Sequence, residues 1–396
     1  MEKEVKKFKK KSKLSVFLTV IISVVIVLLI VIIGAQKLGN MTISAITSDV
    51  KTYFMQFGAG DGFPYNISSD SIKSIKINNS NLYLLSKNKT QVLTSTAKEI
   101  FESEHGFSSP VMKNNGSKII VYDLDSGKYR VQTSSNIIIE DEADFNIMSA
   151  AIGRKGNYAI AAYCNDAQSL LTVYSSGQKK VFSHKFDTER IIDISLSDNG
   201  KYAAVAAVNA KSGSMYSTLY VFSFNSDEPV AVFDYPSTML IKVNYVRGTD
   251  IITVGDNLRS YIKNNKTRED DISFDSDSIH NFVIAPNGVN AEILSRYGSS
   301  ELSSLLVYSN KNKELARVDF ENEVKAIDCD GKYIAVLFDS EVRTYDKNGK
   351  EKGTIFFNGT PINVAVDGKR TYVLTTAGLQ CFNTNGTTDE RVKKDG

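Results

Sequence analysis

A polar turn that contains glycine recurs along most of this chain, and this repeat constrains the fold more than any other feature. Successive turn glycines are 37–48 residues apart. An alternating apolar run precedes each turn, and a second run follows it, which often leads to an aromatic residue. Such runs, rich in β-branched and aromatic residues, predict strands. Glycine suits the turns because hairpins need positive φ values. The aligned glycines are Gly116, Gly156, Gly200, Gly248, Gly288, Gly331 and Gly368.

Four strands in each period of about 40–45 residues are typical of a blade of a β-propeller. The second runs, such as YAIAAYC and YAAVAAV, are almost entirely apolar, as expected for strands covered on both faces. The sequence therefore predicts an all-β, eight-bladed propeller over residues 63–386, with seven blades as the alternative. The eight units begin near residues 71, 107, 146, 190, 239, 278, 322 and 361.

The last unit contains only three predicted strands, and residues 387–396 form a polar tail. A propeller with an incomplete last blade is commonly closed by a strand from its other end. The segment FPYNIS, residues 63–68, precedes the first unit and is predicted to supply this outer strand. A closing strand within residues 42–57 is the alternative.

The N-terminal region predicts one transmembrane helix at residues 14–35. These 22 residues carry no charge, and a helix of that length spans a hydrocarbon core of about 30 Å. Residues 1–13 contain seven lysines and two glutamates, so this basic tail is expected in the cytoplasm and residues 36–396 outside it. The alternative is a cleaved signal peptide, whose apolar region is usually about 7–15 residues long.

Residues 36–62 are predicted to connect the membrane helix to the propeller. Apolar residues within 42–57 recur at helical spacing, which predicts a short amphipathic helix that packs on the propeller or lies at the membrane surface.

Charge and cysteine content exclude several classes of protein. The net charge is +2, of which the tail carries +5, so the remainder is slightly acidic and has no basic surface for nucleic acid. Cys164, Cys329 and Cys381 are far apart and odd in number, which argues against a disulfide framework or a zinc site. They are predicted to be buried free thiols.

No pattern in the sequence indicates a catalytic, metal or cofactor site. Hydrolase, metalloprotease and nucleotide-binding motifs are absent from the sequence. His105, His184 and His280 fall in different units and are predicted to be structural. The acidic run that contains Asp271, Asp275 and Asp277 lacks the spacing of a calcium loop and is interpreted as a solvated segment. The strands that line the funnel are expected to carry mainly Ser, Asn and apolar residues.

The candidate partner-binding residues are Met215, Tyr216 and Tyr297. They lie in the two longest connections between second and third strands, residues 209–218 and 296–304, assigned to the fourth and fifth units. We expect these connections to lie side by side on one face of the ring. Their Ser, Gly, Tyr and Asn residues suit adaptable hydrogen bonding around aromatic anchors. The alternative is that both are tolerated surface insertions.

The repeat resembles the broad group of WD40-like and quinoprotein-like propellers, although the chain contains no Trp at all. The whole layout resembles a bacterial family catalogued as domain of unknown function 5711. The shared features are a short basic tail, one membrane helix, a GDGFP stretch at residues 60–64 and a propeller. This resemblance implies a membrane-anchored propeller, and it implies no activity.

These features together predict a binding or scaffold module outside the cytoplasmic membrane, for a protein or an envelope polymer. The alternative is an extracytoplasmic hydrolase or lyase that uses groups in the propeller funnel. A signal receptor is disfavoured because a cytoplasmic tail of 13 residues is too short for an output domain.

Overall fold

The computed structural model describes residues 60–67, 72–211, 213–269, 271–285, 288–296, 299 and 301–387. All of them belong to one compact unit, Met55–Gly396. The predicted tail 1–13, the predicted membrane helix 14–35, the predicted helix within 42–57 and residues 388–396 lie outside the described residues. No helix in the described ranges has both the length and the apolar character required to span a membrane.

The described residues form eight antiparallel sheets, each built from consecutive strands, so the predicted eight blades are confirmed. In every sheet the strands lie in chain order, with the first strand at one edge and the last strand at the other. Blades one and two consist of β1 (Ile72–Asn78), β2 (Asn81–Ser86), β3 (Lys89–Leu93), β4 (Glu99–Glu104), β5 (Pro110–Asn115), β6 (Lys118–Asp123), β7 (Lys128–Gln132) and β8 (Ile137–Glu142). Blades three and four consist of β9 (Ile147–Ile152), β10 (Tyr158–Ala162), β11 (Ser169–Tyr174), β12 (Lys180–Phe186), β13 (Arg190–Leu196), β14 (Tyr202–Lys211), β15 (Ser214–Ser223) and β16 (Pro229–Pro236).

The second half of the ring repeats this plan with two variations. The outer position of blade five is divided between two short strands, and blade eight has three strands of its own. Blades five and six consist of β17 (Leu240–Arg247), β18 (Asp250–Gly255), β19 (Leu258–Lys263), β20 (Thr267–Arg268), β21 (Ile272–Ser273), β22 (Ser278–Ile284), β23 (Val289–Ser295), β24 (Ser303–Ser309) and β25 (Glu314–Phe320). Blades seven and eight consist of β26 (Ala326–Cys329), β27 (Tyr333–Leu337), β28 (Glu341–Asp346), β29 (Glu351–Phe356), β30 (Pro361–Asp367), β31 (Arg370–Thr375) and β32 (Gly378–Asn383).

The core lies between the blades. Within the described residues, eight apolar clusters each join two consecutive blades. The first strands are innermost, since neighbours such as β9, β13 and β17 lie side by side, and β1 contacts β30. Blade eight therefore meets blade one and the ring is closed. Every sheet buries both faces in its inner part, which explains the continuous apolar runs in the second strands.

The segment that precedes β1 joins the edge of blade eight where the sequence predicted a closing strand, but it does so through one isolated bridge. Tyr65 forms an antiparallel bridge with Leu379 of β32, through Tyr65 N to Leu379 O at 2.8 Å and Leu379 N to Tyr65 O at 3.0 Å. Phe63 is buried between blades eight and one, with its ring centroid 5.7 Å from that of Tyr372. The N-terminal end of the propeller is thus joined to its C-terminal end.

The repeated glycines lie where the hairpins need them. All seven aligned glycines have positive φ values, between 59° and 101°. Gly288 also lies against blade seven, because a Cβ atom on it would lie 2.2 Å from the carbonyl oxygen of Gly331. There, glycine is required by both the backbone conformation and the close approach.

The two long connections differ from the prediction. Residues 209–218 do not form a loop, because β14 and β15 continue their pairing to Lys211 and Ser214. Residues 296–304 connect β23 to β24 and so belong to blade six, not to the fifth unit. Blade five separates the two connections, so the expectation that they are neighbours was wrong.

Candidate functional site

The predicted binding residues separate onto different surfaces. Met215 and Tyr216 lie near the start of β15, in the extended hairpin of blade four. Consecutive strand residues point to opposite faces of a sheet, so these two side chains do not share a surface. Met215 is 46% exposed. Tyr297 lies outside the described residues.

Tyr216 lies on the face of blade four that is directed toward blade three. Tyr220 follows it at the same alternation on β15 and packs against the apolar cluster between these two blades. Val232 of the outermost strand, β16, is paired directly with Tyr220. Leu219 and Val221 point the other way, into the cluster between blades four and five. We call the outer part of the surface that is directed toward blade three the blade-four face. It is formed by Tyr216, Tyr220, Val230, Val232 and Asp234.

The blade-four face is apolar and accessible. Val230 and Val232 are 40% and 47% exposed, and they alternate along β16 with residues that pack against blade five. Sheets usually protect their outer strands with charged side chains. The outer strands of blades one, two and six follow that rule and expose Glu99, Glu102, Glu104, Glu140, Asp141, Glu142, Glu314, Arg317 and Asp319.

Aromatic rings join blade three to blade four beneath this face. The ring centroid of His184 lies 4.6 Å from that of Phe222, and the centroid of Phe186 lies 5.2 Å from that of Tyr220 in an edge-on arrangement. Burial lowers the pKa of His184. A neutral, packed imidazole fits the predicted structural role of this residue, and the rings fix the position of the blade-four face.

Carboxylates lie at the edges of the blade-four face. Glu189 accepts hydrogen bonds from Thr218 Oγ1 at 2.9 Å and from Tyr220 Oη at 2.5 Å. Burial and then this hydrogen bond raise the pKa of Tyr220. A hydrogen bond to Asp234 raises the pKa of Tyr216. Both phenols therefore remain protonated at neutral pH and hold the carboxylates in place.

The inner strands carry a charged group that sequence reasoning missed. Asp193 on β13 lies 2.6 Å from Lys113 Nζ of β5 and 3.0 Å from Lys242 Nζ of β17. It also accepts a hydrogen bond from Val243 N at 3.1 Å. Burial acts to raise the pKa of Asp193, but the two lysines outweigh it and lower the pKa to about 2. This group links blades two, four and five around the axis. The available signal was a single charge within otherwise apolar first strands, as in IIDISLS and IKVNYV.

A second ion pair lies fully buried between blades five and six. Arg259 Nη1 is 2.6 Å from Glu292 Oε1, and neither side chain is accessible to solvent. The guanidinium of Arg259 lies 3.9 Å from the ring centroid of Tyr308, and its Nε donates to Asn312 Oδ1 at 2.6 Å. The pair is closed to solvent and acts as an inter-blade link.

The remaining residues considered for metal binding are dispersed. His105 is buried between blades one and two, whereas His280 is exposed on β22. Asp271 accepts a hydrogen bond from Ser260 Oγ at 2.5 Å and pairs with Arg268. In the described part of the chain, no three His, Cys, Asp or Glu side chains are grouped to hold a metal ion.

The cysteines agree only in part with the prediction. None forms a disulfide, and Cys329 and Cys381 are buried. Cys164 is only half-buried, so its predicted burial was wrong. Its Sγ donates to Asp166 Oδ1 at 2.9 Å near the surface of blade three.

Solved structures with the same fold share little sequence with the chain. The C-terminal WD40 domain of Sif2 has a TM-score of 0.58 and 14% identity, over 79% of this chain and 95% of that domain. Sqt1 of Saccharomyces cerevisiae has a TM-score of 0.55 and 14% identity, over 81% and 97%. BamB of Moraxella catarrhalis has a TM-score of 0.52 and 10% identity, over 80% and 98%. These similarities establish a WD40-like propeller fold.

Sequence comparison identifies the family. None of the curated proteins matches the chain. The model of a family of unknown function, DUF5711, matches residues 64–379, which is most of the chain and nearly all of the ring. The protein therefore belongs to the DUF5711 family, as its layout had suggested.

Proposed function

We propose that this protein is a non-catalytic binding module, anchored in the cytoplasmic membrane by residues 14–35, that holds a protein or envelope-polymer partner on its extracytoplasmic propeller. The observation that carries the proposal is the blade-four face. Val230 and Val232 are exposed there on the outer strand. The outer strands of blades one, two and six expose charged side chains instead. Exposed apolar residues with a polar rim are typical of interaction surfaces.

The fold supports a binding role. A closed ring of sheets is rigid, and its outer strands and connecting turns vary without disturbing the core. The aromatic contacts between blades three and four fix the blade-four face, so little ordering is required when a partner binds. The proposed location rests on the uncharged stretch 14–35 and the lysines before it.

Capture of the partner tests the binding role. Full-length protein is cross-linked in its own envelope, solubilised and purified, and the wild type is compared with the double variant Val230→Lys/Val232→Lys. We expect the variant to lose a cross-linked species that the wild type retains. Val181→Lys is the matched control, because Val181 is a valine of similar exposure, 40%, on an outer strand of the neighbouring blade. Equal capture by all three proteins would reject the blade-four face as the binding surface.

Topology is tested separately. Protease added to intact cells or spheroplasts should remove residues 36–396, while the uncut chain fractionates with membranes. A soluble mature protein that begins near Gln36 would reject the anchor and leave the binding role untouched.

A further inference from the structure

We propose that the partner contacts the blade-four face with an extended peptide segment in which apolar side chains at alternate positions are flanked, on the same face of the peptide, by lysine or arginine. This inference rests on the proposed function and specifies the chemistry of the partner.

The spacing of the apolar residues fits an extended peptide. Val230 and Val232 lie two residues apart on β16, beside the bulge at which the pairing with β15 skips Val230, and alternate residues of a regular strand are about 7 Å apart along one face. An extended peptide presents its own alternate side chains at the same spacing. Tyr220, paired with Val232, widens the apolar strip toward blade three. A peptide that lies along β16 therefore places consecutive apolar side chains against this strip.

The charges around the strip favour a cationic peptide. The charged groups that interact electrostatically with His184 are Glu228, Asp187 and Asp227. The charged groups that interact electrostatically with Tyr216 and Tyr220 are Asp234 and Glu189. All five are carboxylates, although Arg268 of blade five also interacts with Asp234 and donates to its backbone carbonyl. Asp227 and Glu228 precede β16 and Asp234 lies near its end, so lysine or arginine two positions before or after the apolar pair faces a carboxylate. Anionic polymers are repelled, and a neutral glycan can donate hydrogen bonds from its hydroxyls to these carboxylates but carries no charge to pair with them.

The test uses a random dodecapeptide library displayed on phage and selected on detergent-solubilised full-length protein. Selected peptides are synthesised with a fluorescent label, and their Kd values are measured by fluorescence anisotropy. We expect apolar residues two positions apart with basic residues two positions before or after them, and an affinity that falls as salt is added. Val232→Lys, and independently Val230→Lys, should weaken binding about tenfold or more. Val181→Lys should leave the Kd unchanged. Asp234→Lys should weaken the binding of basic peptides more than the binding of uncharged peptides.

Four results overturn the inference. Selection of acidic peptides reverses the charge argument. If neither Val230→Lys nor Val232→Lys changes the Kd of the selected peptides, the blade-four face is rejected as the peptide-binding site. Purified envelope polysaccharide that binds the wild type but not Val232→Lys, with no peptide selected, rejects the peptide and leaves the proposed function standing. If neither peptide nor polysaccharide binding depends on Val232, both the inference and the proposed function at this face fail.

Discussion

Replacement of Phe63 by Ala should open the ring at its junction, because this side chain lies between the last blade and the first. Phe63 is 6% exposed and contacts Tyr372 of blade eight within the cluster that also contains residues of blade one. Removal of a buried Phe side chain costs about 3–5 kcal/mol in the free energy of unfolding. The total stability of a folded domain is only about 5–15 kcal/mol, so this is a large share of it.

The assay is urea unfolding of the purified full-length protein, followed by circular dichroism because the chain contains no Trp. Phe356→Ala is the matched control. The same residue type is 71% exposed there, so the loss should be about 0.5 kcal/mol or less. Phe63→Ala should also aggregate more readily, since loss of the Tyr65 bridge uncovers the edge of β32. Equal unfolding midpoints for the two variants would refute the role of residues 63–67 in closing the ring.

Three further predictions concern buried charges. Glu292→Leu alone should cost about 3–5 kcal/mol, because it leaves Arg259 buried without its partner, while Arg259→Met/Glu292→Leu should recover much of that loss in the same urea assay. Burial and then the charge of Arg130 lower the pKa of His105 from 6.5 to about 4, so the unfolded chain takes up the proton first. Stability should therefore fall as pH drops from about 6.5 to about 4, and His105→Gln should lack this component of the pH profile. Asp193→Ala leaves Lys113 and Lys242 without their shared carboxylate and should lower stability more than Asp187→Ala, an exposed aspartate, does.

The fold was predictable because its main signal is local and repeated. Each turn glycine adopts a positive φ, and each predicted unit begins close to a first strand, as with residue 190 and β13 (Arg190–Leu196). The closing segment was also predictable, since only three strands followed residue 361. The sequence did not predict that this segment contacts blade eight through a single bridge at Tyr65. The register between distant segments depends on packing that no local pattern encodes.

The candidate site was only partly predictable. Tyr216 was identified from its hairpin, but no local pattern distinguished Val230 and Val232 from other strand residues. Their importance depends on β16 being outermost and on which alternate side chains face solvent. Asp193 is visible as a single charge within an apolar first strand, but its contact with Lys113 joins residues 80 positions apart, and no local pattern indicates that pairing. The assignment of 296–304 to the fifth unit was wrong, because these residues follow position 278, where the sixth unit begins.

Site-specific photo-cross-linking in living cells tests the central claim most directly. A photoactivatable amino acid is placed at Val232 or at Val181 in the full-length chain, and adducts are separated by mass after irradiation. The account predicts a discrete protein adduct at position 232, formed through a segment with basic and apolar residues, and no such adduct at position 181. No adduct at position 232, or the same adducts at both positions, would contradict the claim that a partner occupies the blade-four face.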